Sequence, residues 1–353
     1  MRLGIRLLII VAFTLSLSSS RIISKGSADG GGNHQISNPN FGVSGGNIND
    51  ITKRFCCSGT LGSLVTDGSN FYILSNNHVL GLSDKARPGD DISQPGRIDN
   101  GCQLPPIVAD FTVAPQLGSN VDAAIAQLRQ GAMNTNGAIE DIGVPSSVVM
   151  APSVGLGVAK SGRTTGFTTG TISSINTSVN VQYQAGCGQG KKFVVSYTNQ
   201  VVINSSTFSA GGDSGSLIVT NDSDHNPVAL LFAGSSTTTI GNPVGEVLTK
   251  VSAALGNAVS FVGVNRALSM TTPSSNSLLS QDMGRANAAK SRHERDLMLQ
   301  PSVIGVGVGS EDNLAEGAIV VYVDRTAGRV PVLPERLDKV RVRVVLTDPI
   351  VAY

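Results

Sequence analysis

The chain has 353 residues, a length that suits one large all-β unit with an appendage. Its 26 basic and 25 acidic residues nearly cancel, which gives no reason to expect a nucleic acid or another strongly anionic partner. The 41 glycines and the absence of tryptophan favour many short strands joined by tight turns over long helices. The composition therefore predicts a mainly β protein.

The beginning of the chain has the pattern of a secretory signal peptide. Arg2 and Arg6 precede an apolar run over residues 7–17, and small residues follow. The alternative, a membrane anchor, is disfavoured because this run is shorter than the ~20 residues that a spanning helix requires. We predict a signal peptide over residues 1–20, then a flexible leader over residues 21–50. The mature protein is then secreted or periplasmic, without stable membrane insertion.

Four cysteines, Cys56, Cys57, Cys102 and Cys187, can oxidise in an exported chain. Neighbours such as Cys56 and Cys57 rarely bond to each other, because the peptide between them would be strained. We expect one of these two to pair with Cys102, and the partner of Cys187 stays open. No Cys-x-x-Cys or histidine spacing indicates a metal. We predict no metal and no cofactor, although composition leaves a structural calcium open.

The segment LSNNHVL places the histidine His78 in an apolar run with the composition of a buried strand. The run NFYILS follows GTLGSLV after the turn signal DG. Asn76 and Asn77 are poor strand residues, so we expect the chain to leave the sheet there and to present the imidazole at a strand end. Strand ends and the loops that follow them commonly carry functional residues.

Two acids, Asp110 in VADFT and Asp122 in NVDAAIA, lie among small apolar residues. An unpaired buried carboxylate costs several kcal/mol, so each acid either stays at the surface or has a partner. The neighbouring residues do not distinguish Asp110 from Asp122 as the candidate functional acid.

The segment SAGGDSGSL places Ser214 between glycines, directly before an apolar strand. Glycines permit positive φ, so the amides of Gly212 and Ser214 are expected to point into one concavity that suits an oxyanion. A serine hydroxyl requires a base at neutral pH, and His78 suits that task. The imidazole in turn requires an acceptor at its other nitrogen, which gives Asp122 its partner.

Together these segments resemble the chymotrypsin/trypsin family of serine proteases. LSNNHVL resembles the histidine motif, VDAAIA the Asp-Ile-Ala segment and GGDSGS the Gly-Asp-Ser-Gly motif. The spacing of His78, Asp122 and Ser214 is similar to that in compact members, and it selects Asp122 over Asp110. More narrowly, residues 56–266 resemble a secreted bacterial trypsin-like group that is distantly similar to the plant narrow-leaf proteases.

The resemblance implies a chymotrypsin-like double β-barrel over residues 51–268. It also implies a serine endopeptidase that hydrolyses protein or peptide substrates through an acyl-enzyme. The chain departs from the family at Val79, where a cysteine is usual. It also lacks an evident N-terminal amine to pair with Asp213, so we expect a constitutive site in which Asp213 has another partner.

By the same resemblance, Phe208 lies near the base of the primary substrate pocket. Ala233, Gly234 and Ser235 form one of its walls. No acid stands at the base position, so a preference for arginine or lysine is unsupported. We expect a small or apolar residue before the scissile bond.

The tail contains a Ser-, Thr- and Pro-rich linker over residues 269–280. A helical pattern and the runs VIGVGVGS, GAIVVYVD and KVRVRVVL follow, so we predict a small α/β accessory domain over residues 281–353. Its role is open between inhibitor, docking surface and oligomer contact, and the oligomeric state is not indicated.

Two functions remain for the whole chain. The first is the secreted serine endopeptidase, and the second is a catalytically inactive protease-like module that binds peptides or a surface. The complete set of His, Asp and Ser favours the enzyme, because an inactive homologue usually has a replaced serine or histidine.

Overall fold

The structure is a computed structural model that describes residues 34–266, 277–310 and 316–353. The predicted signal peptide, residues 1–20, lies outside this described part of the chain. No helix within these ranges is long and apolar enough to cross a membrane.

The first sheet has eight strands and contains the catalytic candidates His78 and Asp122 at its rim. Its strands are β1 (Val43–Asn47), β2 (Gly59–Leu61), β3 (Ser63–Thr66), β4 (Phe71–Ser75), β5 (Asp91–Ser93), β6 (Ile107–Val113), β7 (Ala124–Leu128) and β15 (Ser260–Phe261). They run in the order β15-β3-β4-β7-β6-β5-β1-β2, and each neighbouring pair is antiparallel. Alternate strand residues such as Leu64, Ile73 and Ala126 point inward and form its core.

The second sheet has twelve strands and contains the Ser214 segment. Its strands are β8 (Gly157–Gly162), β9 (Gly166–Thr171), β10 (Ser174–Gln184), β11 (Lys192–Asn204), β12 (Leu217–Thr220), β13 (Pro227–Gly234), β14 (Thr238–Pro243), β16 (Val303–Ser310), β17 (Gly317–Asp324), β18 (Arg336–Leu337), β19 (Val340–Thr347) and β20 (Val351–Ala352). The order is β18-β19-β17-β16-β10-β11-β14-β13-β12-β8-β9, and β20 pairs with β10 and β13.

The helices are α1 (Asn77–Leu80), α2 (Val244–Leu255) and α3 (Ser277–Met298), with short 3₁₀ turns at Arg97–Asn100 and Arg325–Ala327. One sheet closes into a barrel and the other curls into a half-barrel. The predicted mainly β fold with a double barrel and a helix-containing C-terminal region is therefore confirmed.

The prediction of a flexible leader over residues 21–50 is wrong for its last part. Phe41 is fully buried, and β1 pairs with both β2 and β5. Gly45 lies directly under the side chain of Leu61, where a Cβ atom would be 2.3 Å from Leu61 Cγ. The strand therefore lacks bulky residues, and its composition resembles that of a loop.

The boundaries of the tail also differ from the prediction. Helix α3 begins at Ser277, so the last residues of the predicted linker are helical, while residues 267–276 lie outside the described part. The α/β unit is present but not detached, because β16 pairs antiparallel with β10 and so extends the second sheet. No local pattern indicates that the edge of β10 is open to another strand.

The predicted disulfides are confirmed, and their pairing is resolved. Cys56 bonds to Cys102, with 5.7 Å between the two Cα atoms. Cys57 bonds to Cys187, which lies in the hairpin between β10 and β11. The second bridge thus joins the segment between β1 and β2 to the second sheet.

Candidate active site

The register of the first sheet brings His78 and Asp122 together. Strand β4 pairs antiparallel with β7, and Ser75 at the end of β4 faces Ala124 at the start of β7. His78 follows Ser75 in the single turn of α1, and Asp122 precedes Ala124, so both side chains extend beyond the same rim of the sheet. This position agrees with the expectation that the chain leaves the sheet near Asn76.

Asp122 holds the histidine through two hydrogen bonds. His78 Nδ1 lies 2.6 Å from Asp122 Oδ2, and the His78 amide donates to Oδ1 at 3.1 Å. Asp122 is fully buried, while the His78 side chain is 11% exposed and faces the cleft. Tyr183 donates its hydroxyl hydrogen to Asp122 Oδ2 at 2.8 Å and shares a 2.6 Å hydroxyl contact with Tyr197.

The pKa of His78 is raised. Burial by itself lowers this pKa, but the charge and the hydrogen bond of Asp122 outweigh it, with smaller contributions from Tyr353 and Asp50. His78 Nε2 lies 2.9 Å from the carbonyl oxygen of Tyr353. Since both ring nitrogens face acceptors, the doubly protonated imidazolium is favoured in this arrangement.

Burial also raises the pKa values of the two tyrosines behind Asp122. The pKa of Tyr183 is well above its usual value because of desolvation and the nearby charge of Asp122. The pKa of Tyr197 is raised for the same two reasons, in the same order. Both hydroxyl groups therefore keep their protons at neutral pH, and Tyr183 remains a hydrogen-bond donor to Asp122.

Ser214 lies in the turn that precedes β12. Gly212 has φ +100°, a conformation that side-chain-bearing residues rarely adopt. The first sheet fixes this turn, because the Thr60 amide donates to the Ser214 carbonyl at 2.8 Å and Thr60 Oγ1 donates to the Gly212 carbonyl at 2.9 Å. Among the described residues, no hydrogen-bond acceptor faces the amide of Gly212 or that of Ser214.

The hydroxyl of Ser214 does not bond to His78 in this structure. Ser214 Oγ donates to the carbonyl oxygen of Phe232 at 3.1 Å. His78 Nε2 is engaged by Tyr353 instead. The hydrogen bond between Ser214 and His78 that would complete a catalytic triad is therefore absent while the Tyr353 carbonyl contacts His78 Nε2.

Asp213 is buried beside the candidate nucleophile and is surrounded by donors. Its carboxylate accepts from the amides of Thr164, Thr165 and Ala210 at 2.8, 3.1 and 2.9 Å and from Thr165 Oγ1 at 2.7 Å. Lys160, also fully buried, places Nζ 3.6 Å from Asp213 Oδ2. Desolvation lowers the pKa of Lys160, and the charge of Asp213 partly offsets this effect.

The four predicted pocket residues lie beside Ala352 and Tyr353. Phe208 belongs to the apolar cluster against which Tyr353 packs, and the Tyr353 hydroxyl donates to the Ser235 carbonyl at 2.9 Å. Ala233 pairs with the residue before Tyr353 in the strand ladder. A Cβ atom at Gly234 would lie 2.6 Å from Tyr353 Cζ, so the glycine provides space for the ring.

A cavity of about 440 Å³ remains open beside His78. Residues from segments that connect strands of both sheets line it, including Asp50, Lys85 and Arg163. Burial raises the pKa of Asp50 to about 6, although His78 and Lys85 act in the opposite direction. Part of the cleft is therefore free for a ligand even with Tyr353 in place.

Two other acids, Asp50 and Asp110, are a candidate metal ligand and the alternative to Asp122, respectively. Asp50 lies near the sulfur atoms of Cys57 and Cys187, but these form a disulfide and do not offer thiolates to a metal. Asp110 forms a surface ion pair with Arg129, at 2.5 Å from Asp110 Oδ1 to Nη2. Asp110 therefore stays at the surface, which is one of the two positions expected for this acid from the cost of burying an unpaired carboxylate.

Sequence reasoning missed several polar residues that support the site. Asn76 Nδ2 donates to the Asp122 carbonyl at 2.6 Å, and Asn77 Nδ2 donates to Asp84 Oδ1 at 2.7 Å. The two asparagines are poor strand residues, and that composition was the available signal. Tyr183 lies in no motif and carried no local signal, and the segment KSGRTTG gives no indication that Lys160 is buried.

Comparison with known proteins gives a family and a set of similar folds. A family model described as peptidase family S64 matches residues 47–235. A search of curated proteins found no match. Solved structures similar to this chain include a glutamic acid-specific serine protease, with 21% identity, 63% of this chain and 98% of that chain covered, and a TM-score of 0.43.

Two further similar structures are bacterial proteases with named sources. Protease A of Thermobifida fusca is 18% identical, with 64% of this chain and 98% of that chain covered and a TM-score of 0.42. A chymotrypsin of Cellulomonas bogoriensis is 17% identical, with 64% of this chain and 99% of that chain covered and a TM-score of 0.42.

Proposed function

The chain belongs to peptidase family S64 and is a serine-type peptidase, and on this premise we propose that it is a secreted endopeptidase with His78, Asp122 and Ser214 as its catalytic triad. The single observation that carries this proposal is the 2.6 Å contact between His78 Nδ1 and the buried Asp122. That contact fixes the imidazole so that Nε2 faces the cleft.

In the proposed reaction, Ser214 rotates about its Cα–Cβ bond toward His78 and attacks the carbonyl carbon of a substrate peptide. His78 Nε2 takes the hydroxyl proton as the new C–O bond forms. The C–N bond then breaks, and His78 returns the proton to the leaving amine. Water hydrolyses the acyl-enzyme in a second, equivalent cycle that regenerates the serine hydroxyl.

The negative charge that develops on the substrate oxygen is stabilised by the amides of Gly212 and Ser214. Their lack of an acceptor among the described residues and the positive φ of Gly212 support this role. Loss of one such donor typically costs about 3 kcal/mol of transition-state stabilisation. Because these donors belong to the backbone, they require no side-chain movement during the reaction.

Labelling with a fluorophosphonate probe tests this proposal. We expect the probe to label the full chain, and we expect Ser214→Ala and His78→Ala to abolish labelling. Asp122→Asn is expected to slow labelling by about 10⁴-fold because the imidazole loses the carboxylate that orients it. Asp110→Asn is the matched control and is expected to label at the wild-type rate. Equal effects of the two aspartate variants would contradict the assignment of Asp122.

Export of the protein is supported by its two disulfides, which persist in oxidising compartments. The alternative function, an inactive protease-like binding module, predicts that no variant or wild-type chain reacts with the probe. The membership of a peptidase family and the contact between His78 and the buried Asp122 favour the enzyme over that alternative.

A further inference from the structure

Residues 350–353 lie in the cleft as an added β-strand. The segment is held between two strands of the second sheet: the Gln182 amide donates to the Ile350 carbonyl at 2.9 Å, and Val351 pairs antiparallel with Gly234. The amide of Tyr353 faces the carbonyl of Phe232 at 3.4 Å. Addition of a strand to a sheet edge is a common way to bind a peptide, because main-chain bonds give affinity and side-chain pockets give specificity.

The side chain of Tyr353 occupies the pocket predicted to receive the residue before the scissile bond. Its ring packs against the apolar cluster that contains Phe208, and its hydroxyl hydrogen bonds to the Ser235 carbonyl. Desolvation raises the pKa of Tyr353 to about 12. The pocket thus offers an apolar wall for a ring, and two neutral groups, the Ser235 carbonyl and the Ser209 side chain, for a hydroxyl group.

Tyr353 also contacts His78, the proposed catalytic base. The Tyr353 carbonyl lies 2.9 Å from His78 Nε2, and Ser214 Oγ is directed to Phe232 instead. A histidine that donates from both ring nitrogens has no lone pair with which to accept the proton of Ser214. The segment therefore blocks the substrate pocket and holds the base in an unreactive form at once.

Resting on the proposed function, we propose that residues 350–353 are a substrate-like segment, so that the enzyme cleaves after tyrosine and is held inactive by this segment until it leaves the cleft. This assigns a role to the C-terminal unit, which was open between inhibitor, docking surface and oligomer contact. Strand β19 leads into the segment, and Asp348 anchors the connection through Arg325, with 2.7 Å between Oδ1 and Nε.

A binding experiment tests occupancy of the cleft without any turnover. Full chains carrying Ser214→Ala, with or without Tyr353→Ala, are titrated with a fluorescein-labelled Ile-Val-Ala-Tyr peptide, and anisotropy gives Kd. We expect at least tenfold tighter binding when Tyr353→Ala has emptied the pocket, and no competition by Ile-Val-Ala-Lys. Tyr353→Phe, which keeps the ring but loses the hydrogen bond to Ser235, is expected to bind the peptide more tightly than the parent and less tightly than the Tyr353→Ala chain. Equal Kd values for all three chains would overturn the proposal.

A cleavage experiment tests the preference for tyrosine. Reporters of the form Ile-Val-Ala-X-coumarin are compared on the Tyr353→Ala chain. We expect tyrosine to exceed phenylalanine by about fivefold in kcat/KM, the value of one hydrogen bond, and to exceed lysine by at least 100-fold. An ammonium would be desolvated there, and the nearby acid, Asp213, is already paired with Lys160. The Tyr353→Ala chain is also expected to react with the fluorophosphonate at least tenfold faster than the wild type.

The outcomes separate this inference from the proposed function. Phosphonate labelling together with a preference for lysine overturns the inference and leaves the peptidase intact. Tighter peptide binding to the Tyr353→Ala chain without labelling of any chain overturns the triad and leaves the occupancy of the cleft intact. If Tyr353→Ala lowers the melting temperature, Tyr353→Ser, which keeps a polar group in the pocket, replaces it in both experiments.

Discussion

The buried pair of Lys160 and Asp213 lies directly behind the turn that contains Ser214, and Lys160→Met tests its importance. The ammonium is 3.6 Å from the carboxylate, and both side chains are fully buried. At an effective dielectric constant of 20 the attraction between two charges at this distance is about 5 kcal/mol. Removing one partner of a buried pair typically costs about 3–5 kcal/mol, because the remaining charge stays in the interior uncompensated.

We therefore expect Lys160→Met to lower the free energy of unfolding by about 3–5 kcal/mol at pH 7. Unfolding in urea, followed by far-ultraviolet circular dichroism, measures this change. The variant is also expected to lose most phosphonate labelling, because Asp213 lies between Gly212 and Ser214 and its carboxylate ties the turn to Thr164 and Thr165.

A double-mutant cycle provides the control. The Lys160→Met/Asp213→Asn chain lacks both charges, so its loss of stability should be smaller than the sum of the two single losses by about 2 kcal/mol or more. A Lys160→Met chain within 1 kcal/mol of the wild type, or fully additive losses, would refute the view that the two charges depend on each other.

Two further predictions concern Tyr183, which donates a hydrogen bond to Asp122, and the disulfide between Cys57 and Cys187. Tyr183→Phe removes a donor to Asp122, so its carboxylate stabilises protonated His78 more strongly. Since the base acts only when neutral, we expect the acid limb of the kcat/KM profile to move up by about one pH unit, and an unchanged profile would contradict this role. Cys57→Ala combined with Cys187→Ala opens a loop of 130 residues and should cost about 5 kcal/mol, measured as a lower Tm.

The three catalytic candidates could be predicted because each lies in a short motif whose local chemistry is informative. His78 interrupts an apolar run, and Ser214 lies among glycines that permit an unusual backbone conformation. The choice of Asp122 required the spacing of a known family, since Asp110 has a similar neighbourhood. The physical reason that Asp122 meets His78 is the register of β4 with β7, which no local pattern specifies.

The parts that escaped prediction depend on partners distant in the chain. Tyr183 is 61 residues from Asp122, and Tyr353 is 275 residues from His78. Lys160 reads as an ordinary charged residue in GVAKSG, and only the closed fold buries it against Asp213. The strand β1 was missed for the opposite reason, because its small residues leave no hydrophobic pattern to detect.

The disulfide between Cys57 and Cys187 limits how far the two sheets can separate at the cleft. It links the two sheets at one place on the cleft wall, and the backbone contact between Thr60 and Ser214 links them at another. Hinge enzymes adapt to ligands by changing the angle between their halves, whereas here a covalent bridge and a backbone hydrogen bond both restrain such opening. We expect an extended, unfolded chain to lie along such a cleft, whereas a compact folded protein must first release a strand.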